Sequence, residues 1–155
     1  MPTEKNDIVV QIACDCQILK VDLGRFEDLA RRVCRRFNVK KASISIAIVD
    51  DDTITQVNTK FLNHKTQTDV ISFDLSDGTD ERKNFEFVVN AEQAVREARK
   101  RGHSAEAELA LYITHGLLHN LGFDDADQRQ GQKMHNTEDE ILQQAGFGIV
   151  YGKTD

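Results

Sequence analysis

The sequence predicts an α+β fold, a small mixed β-sheet of about four strands with helices packed on it. Three observations predict it. The segments with two-residue alternation or β-branched enrichment all lie before residue 91, helical spacing governs the chain from residue 91 onward, and the single proline stands at position 2, so no linker divides the chain. Strands mixed with helices early and helices alone late do not make the regular alternation of a parallel fold. With 155 residues, 39% hydrophobic and 30% charged, residues 1–155 are expected to form one domain with a modest core.

Ile8 to Cys16 alternates apolar and polar residues as a half-buried strand does. Gly24 to Phe37 carries Phe26, Leu29, Ala30, Val33, Cys34 and Phe37 at helical spacing with basic residues opposite, which predicts an amphipathic helix. Ala42 to Asp50 is a second strand with Ile44, Ile46 and Ile48 on one face. Asp50-Asp51-Asp52-Thr53 supplies an N-cap and first-turn negative charge for a short helix, with Ile54, Val57, Phe61 and Leu62 on its buried side. Val70 to Leu75 and Phe85 to Asn90 are two further strands, and the turn-rich Ser76 to Asn84 lets them close as an antiparallel hairpin. Three helices complete the chain: Ala91 to Arg101, stopped by Gly102; Ser104 to Leu121, with Ser104 as N-cap and Gly122 as terminator; and Asp127 to Ala145, closed by Gly146. Gly146 to Asp155 lacks periodicity and is expected to be a loose tail.

The longest stretch without a charged residue, Leu109 to Phe123, holds two histidines and an asparagine and falls short of the roughly 18 apolar residues that a bilayer span needs. No membrane association is expected. The first seven residues lack the layout of a secretory signal, and three cysteines, an odd number, leave at least one thiol unpaired, so the expected location is the cytoplasm. Cys14, Cys16 and Cys34 read as small buried apolar side chains. The net charge of −6 disfavours indiscriminate coating of nucleic acid, DNA included. Positive charge is nonetheless clustered, at Arg25, Arg31, Arg32, Arg35, Arg36, Lys40 and Lys41 and again at Arg96, Arg99, Lys100 and Arg101, on what is either a solvated helix face or an RNA-facing patch.

The chemistry concentrates at His115 and His119, four residues apart on the most apolar helix, so both rings leave one face about a turn apart. Two imidazoles need this geometry to share a metal ion. Gly122 then breaks the helix and lets Phe123-Asp124-Asp125 turn back along it, bringing an oxygen ligand beside the rings. Asp125 is the expected third ligand and Asp124 its competitor. Two nitrogens and one carboxylate leave a coordination position for water, the catalytic zinc pattern. The alternative is a buried helix whose histidines are satisfied by hydrogen bonds. Gly116 occupies the place of the glutamate in the His-Glu-x-x-His peptidase motif, which disfavours a zinc hydrolase of peptide or amide bonds. His103 is expected to be a capping or surface residue, and His135, on a polar helix face, is not expected to ligate.

The run His115-Gly116-Leu117-Leu118-His119-Asn120-Leu121-Gly122-Phe123-Asp124-Asp125 resembles the signature of the YbeY endoribonuclease family, H-G-x-L-H-L-x-G-Y-D-H. Asn58 followed by Thr68-Asp69-Val70-Ile71-Ser72-Phe73 is similar to its N-x-x-[YF]-R…P-T-D-V-L-S-F segment. Glu86 to Asn90 resembles its G-D-I-V-I-S strand, and Glu138-Asp139-Glu140-Ile141-Leu142 its E-E-E-I-L helix. The likeness runs from about residue 40 to 145.

The resemblance implies a zincin-like core with the metal-binding helix inside it, and an endoribonuclease that cuts single-stranded RNA in maturation of ribosomal RNA, notably the small-subunit 3′ end, and in ribosome quality control. Its partners would be ribosomal RNA and the ribosome or ribosomal proteins. It implies one Zn2+ held by His115 and His119, with Asp125 where the family has a third histidine; a harder ligand there can admit other divalent ions. The family's arginine falls on Leu62 and its proline on Gln67. Leucine offers phosphate no charge, so His64 or Lys65 is the nearest substitute in sequence, and Thr68 and Asp69 can line the cleft or simply set the start of their strand. The competing reading is a ribosome-assembly factor that keeps the metal only for stability.

Overall fold

A computed structural model describes residues 7–14, 17–62, 68–78 and 81–148 of the chain. Among them are four strands, β1 (Ile8–Cys14), β2 (Ala42–Val49), β3 (Val70–Asp74) and β4 (Lys83–Asn90), and five helices, α1 (Leu23–Arg36), α2 (Asp51–Leu62), α3 (Ala91–Arg101), α4 (Ala105–Asn120) and α5 (Gln128–Gln144). The sheet order is β1-β2-β4-β3. β2 runs parallel to both β1 and β4, and β3 is antiparallel to β4. The hairpin read from the polar connection between β3 and β4 is thus present. Its loop end is held by Leu75 N–H donating to Asn84 O at 2.7 Å and Asn84 N–H to Ser76 Oγ at 3.0 Å.

Alternation sorts the strand side chains. Ile44, Ile46, Ile48, Phe85, Phe87 and Val89 are buried on one face, against α1, α4 and α5. The other face carries a smaller cluster of Val49, Ile54 and Ile71 under α2. α4 lies at the centre because it has no polar side: Ala107 through Thr114 and Gly116 through Leu118 are buried. Only its first two residues and its C-terminal end, from His115 on one side, reach solvent.

The helix boundaries match their capping chemistry. Asp22, Asn90, Ser104 and Asp127 cap α1, α3, α4 and α5 through side-chain oxygens. Gly122 stands at φ +103° with open space around it, so glycine is there for the left-handed turn after α4. Gly116 is there for space: a Cβ on it would lie 2.8 Å from both Phe87 Cδ1 and Ser72 Oγ, which are cross-strand neighbours in the sheet. α4 therefore meets the sheet backbone-first at the residue between its two histidines' turns.

Four expectations need correction. Phe61 and Leu62 are 61% and 45% exposed, and the buried members of α2 are Ile54 and Asn58. The last turn of α2 runs beyond the small outer cluster, and Phe61 meets Phe73 edge to face at 5.9 Å between centroids. Cys14, at the end of edge strand β1, is half-buried, whereas Cys34 is buried and its thiol is pushed up to about 11 by desolvation, against the opposing charge of Arg35. Cys16 lies outside the described residues. The segment after Gly146 starts as packed chain: Phe147 stacks on Phe26 at 5.6 Å, Arg25 lies over the Phe147 ring, and Arg25 Nη2 donates to Gly146 O at 2.7 Å. Residues 149–155 lie outside the described residues. His103 is not on the surface; Gly102, left-handed at φ +75°, turns it back onto buried Glu108, which its ring contacts.

No described helix is long and apolar enough to cross a membrane.

Candidate metal centre

The exposed end of α4 brings His115, His119 and Asp125 together, with one ligand atom from each within 4.8 Å of the others. Among the described residues this is the one group of His, Cys, Asp and Glu side chains that can close on a single ion. His115 Nε2 and His119 Nε2 lie 3.1 Å apart, and His119 Nε2 is 3.9 Å from Asp125 Oδ2. Two nitrogens bound tetrahedrally at about 2.0–2.1 Å from zinc would be roughly 3.3 Å apart, so the imidazoles are already spaced for one ion. The carboxylate needs to close on His119 by about half an ångström on the same reckoning, a movement open to a side chain that is 48% exposed.

Proton positions decide what the rings can bind. His115 Nδ1 faces Glu138 Oε2 at 2.8 Å, and His119 Nδ1 faces the carbonyl oxygen of Phe123 at 3.1 Å. Both partners only accept, so each ring carries its hydrogen on Nδ1 and turns a lone pair of Nε2 toward the other ring. Two lone pairs at 3.1 Å repel unless a cation or a proton stands between them. Orientation of ligating imidazoles by a carboxylate and a carbonyl is what metal sites require, and the donor set fits a divalent ion. Burial alone would depress the His115 pKa, but the hydrogen bond and charge of Glu138, with Asp69 and Asp125 behind it, together hold it above the ordinary imidazole value. Proton and metal ion therefore compete for the same lone pair.

Each supporting residue has a local cause. Glu138 is fully buried on the apolar stripe of α5 with Met134, Ile141 and Leu142, and its Oε1 has no hydrogen-bond partner among the described residues. Such a carboxylate is costly unless it serves a neighbour. The Phe123 carbonyl reaches His119 because the left-handed Gly122 reverses the chain, with Phe123 N–H bound to Leu118 O at 2.9 Å. The two aspartates divide the work of the turn. Asp124 Oδ1 accepts from the backbone of Asp125 at 2.7 Å and of Ala126 at 3.1 Å, which leaves Asp125 facing the rings. Replacing Asp125 by alanine is expected to weaken divalent-ion affinity about 100-fold, and Asp124→Ala about 10-fold through a loosened turn. Competition against a coloured chelator measures both, and the opposite ranking would make Asp124 the ligand.

The remaining site candidates have other roles or lie elsewhere. Asp69 Oδ1 accepts from its own strand start, Val70 N–H at 2.8 Å, and from Thr68 Oγ1 at 3.2 Å. Buried Asn90 clamps the pair, donating Nδ2 to Thr68 O at 3.1 Å and its backbone N–H to Asp69 O at 2.8 Å. Thr68 and Asp69 thus set β3, and Asp69 is also near enough for its charge to act on His115. His64, Lys65 and Gln67 lie outside the described residues. Leu62, in the place of the family arginine, is exposed on α2. His135 is outside the cluster. Sequence reasoning missed Glu138 as the orienting carboxylate; the legible signal was a glutamate inside an apolar helical stripe.

The family model described as "Endoribonuclease YbeY" matches residues 11–146. Curated relatives include endoribonuclease YbeY of Heliobacterium modesticaldum, 31% identical over 123 residues, covering 72% of this chain and 74% of the relative. That of Ureaplasma urealyticum serovar 10 is 35% identical, covering 79% and 81%. That of Acidothermus cellulolyticus is 32% identical, covering 87% and 90%. The solution structure of TM1509 from Thermotoga maritima shares the fold, with a TM-score of 0.59 at 20% identity, covering 88% of this chain and 91% of that one.

Proposed function

The chain belongs to the YbeY endoribonuclease family, and from that premise we propose that it is a metal-dependent endoribonuclease that cuts single-stranded ribosomal RNA, including the small-subunit 3′ end, in the cytoplasm and in company with the ribosome. The observation that carries the reading is the pair of imidazoles whose Nε2 atoms converge at 3.1 Å while their Nδ1 atoms face Glu138 Oε2 and Phe123 O.

In this reading His115, His119 and Asp125 hold one Zn2+, or another divalent ion that the carboxylate admits. Such an ion supplies, when bound, polarisation of a phosphoryl oxygen and a water acidified toward a pKa of about 7. Glu138 and the Phe123 carbonyl keep both rings in the ligating tautomer. Asp125 and His119, with side chains 48% and 35% exposed, leave the outer side open to a phosphodiester, while His115 and Glu138 close the inner side. Hydrolysis adds the elements of water across one P–O bond and leaves the departing oxygen protonated. The cation that steadies the added negative charge cannot come from Leu62; His64 and Lys65, which follow it in the chain, are the candidates.

Single-stranded RNA is expected to be cut by the metal-loaded chain, spared after chelation and cut again on return of the ion, read by denaturing gel. A metal-loaded chain that leaves RNA intact would give the field to the assembly-factor reading.

A further inference from the structure

A concave groove runs between the turn after α1 and the last turn of α4, the turn that also carries His119. One wall is Phe37, Asn38, Lys40 and Lys41; the other is Asn120 to Gly122, with Lys83 at the start of β4 forming an end. Three ammonium groups face this groove against one carboxylate, Glu81, which Lys41 contacts at 3.5 Å with both side chains exposed. Such a pair holds little energy and exchanges readily for another anion. Among the described residues, Lys40 and Lys83 make no ion pair. This is a net positive hollow on a chain whose net charge is −6, and a concave low-dielectric wall concentrates its field.

The neighbouring chemistry suits an unpaired strand. Phe37 and Phe123 meet edge to face at 5.3 Å, both half-buried. Asn38, held left-handed at φ 60°, and Asn120, whose Nδ2 also donates to Phe73 O at 3.4 Å, line the same hollow. Lysines for phosphates, aromatic rings for base faces and amides for base edges are the elements by which single strands are held. The groove wall adjoins the site along the chain: Asn120 directly succeeds His119, and Gly122 directly precedes Phe123, whose carbonyl faces that ring.

Resting on the endoribonuclease reading, we propose that this groove is the track for the RNA strand flanking the cut, with successive phosphates on Lys40, Lys41 and Lys83. Neutralising the three contacts removes roughly 0.7 per phosphate from the slope of log affinity against log salt.

The test uses the full chain with Lys40→Gln, Lys41→Gln and Lys83→Gln combined. Divalent-ion content should stay at the parent level. Binding of a fluorescent single-stranded RNA of about 20 nucleotides should weaken about tenfold or more at low salt, with the salt slope shallower by about 2. Cleavage of a minimal diester such as bis(p-nitrophenyl) phosphate should be unchanged. A parent that binds the RNA and a triple variant that binds it with the same slope would overturn the groove while leaving the proposed activity standing. A parent that binds no RNA would overturn both. A fall in minimal-diester turnover equal to the fall on RNA would also overturn the groove, since the lysines would then act at the reacting bond.

Discussion

Alanine in place of His119 is expected to strip the chain of its divalent ion and to lower RNA cleavage by roughly 1000-fold or more, a larger loss than the 10–100-fold in metal affinity that removing a merely orienting partner costs. The residue supplies one of only two nitrogen donors in the cluster, and its Nε2 lies 3.1 Å from the other. The fold should survive, because the His119 side chain is 35% exposed and its ring contacts only members of the site, the Phe123 carbonyl, the other imidazole and Asp125. Thermal melts separate the two effects. Zinc at about 100 times its dissociation constant should stabilise the parent by about 2.7 kcal/mol, whereas the variant should melt at the same temperature with and without the ion. A variant that keeps the ion-dependent rise would place the metal elsewhere.

Gly116→Glu is expected to prevent folding. This change would complete the His-Glu-x-x-His pattern of the zinc peptidases, but the Cβ direction of residue 116 meets Phe87 and Ser72 at 2.8 Å on the sheet. A carboxylate driven into that contact is a buried charge without a partner beside a ring that is 1% exposed. The several kcal/mol this costs are comparable with the whole stability of a domain, about 5–15 kcal/mol. Gly116→Ala calibrates the effect: overpacking costs about 1–3 kcal/mol and better helix propensity returns about 1 kcal/mol, for a net loss of about 0–2 kcal/mol in urea unfolding. A glutamate variant that folds with parental stability would show that α4 does not approach the sheet this closely. The same geometry explains why no peptidase base stands here. The position serves packing.

Much of the architecture was legible because local chemistry is strong where it sits. Ser104, Gly102, Gly122 and Gly146 bound their helices as capping and left-handed glycines do, and Ile44, Ile46 and Ile48 mark the inner face of β2 by alternation alone. The histidine spacing put both rings on one face of α4. The features that escaped depend on partners distant in sequence. Periodicity placed Phe61 and Leu62 on the apolar side of α2 but holds no information on where the surface beneath that helix ends. Glu138 is 23 residues from His115, and nothing in its own neighbourhood announces the ring it orients. Gly116 read as a missing base, since its reason lies in the Ser72 and Phe87 pair on two other elements. Order in the sheet was likewise hidden: the hairpin β3–β4 is implied by its turn, but the parallel placement of β2 between β1 and β4 is set by helices packing across the sheet.

The coordination shell of the ion tests the central claim most directly. X-ray absorption on untagged protein loaded with one equivalent of Zn2+ should show two imidazole nitrogens at about 2.0–2.1 Å and a carboxylate oxygen at about 2.0–2.2 Å, with a light-atom solvent ligand completing four. Scattering that contains no imidazole, or a shell of four protein donors with no place for solvent, would contradict the account.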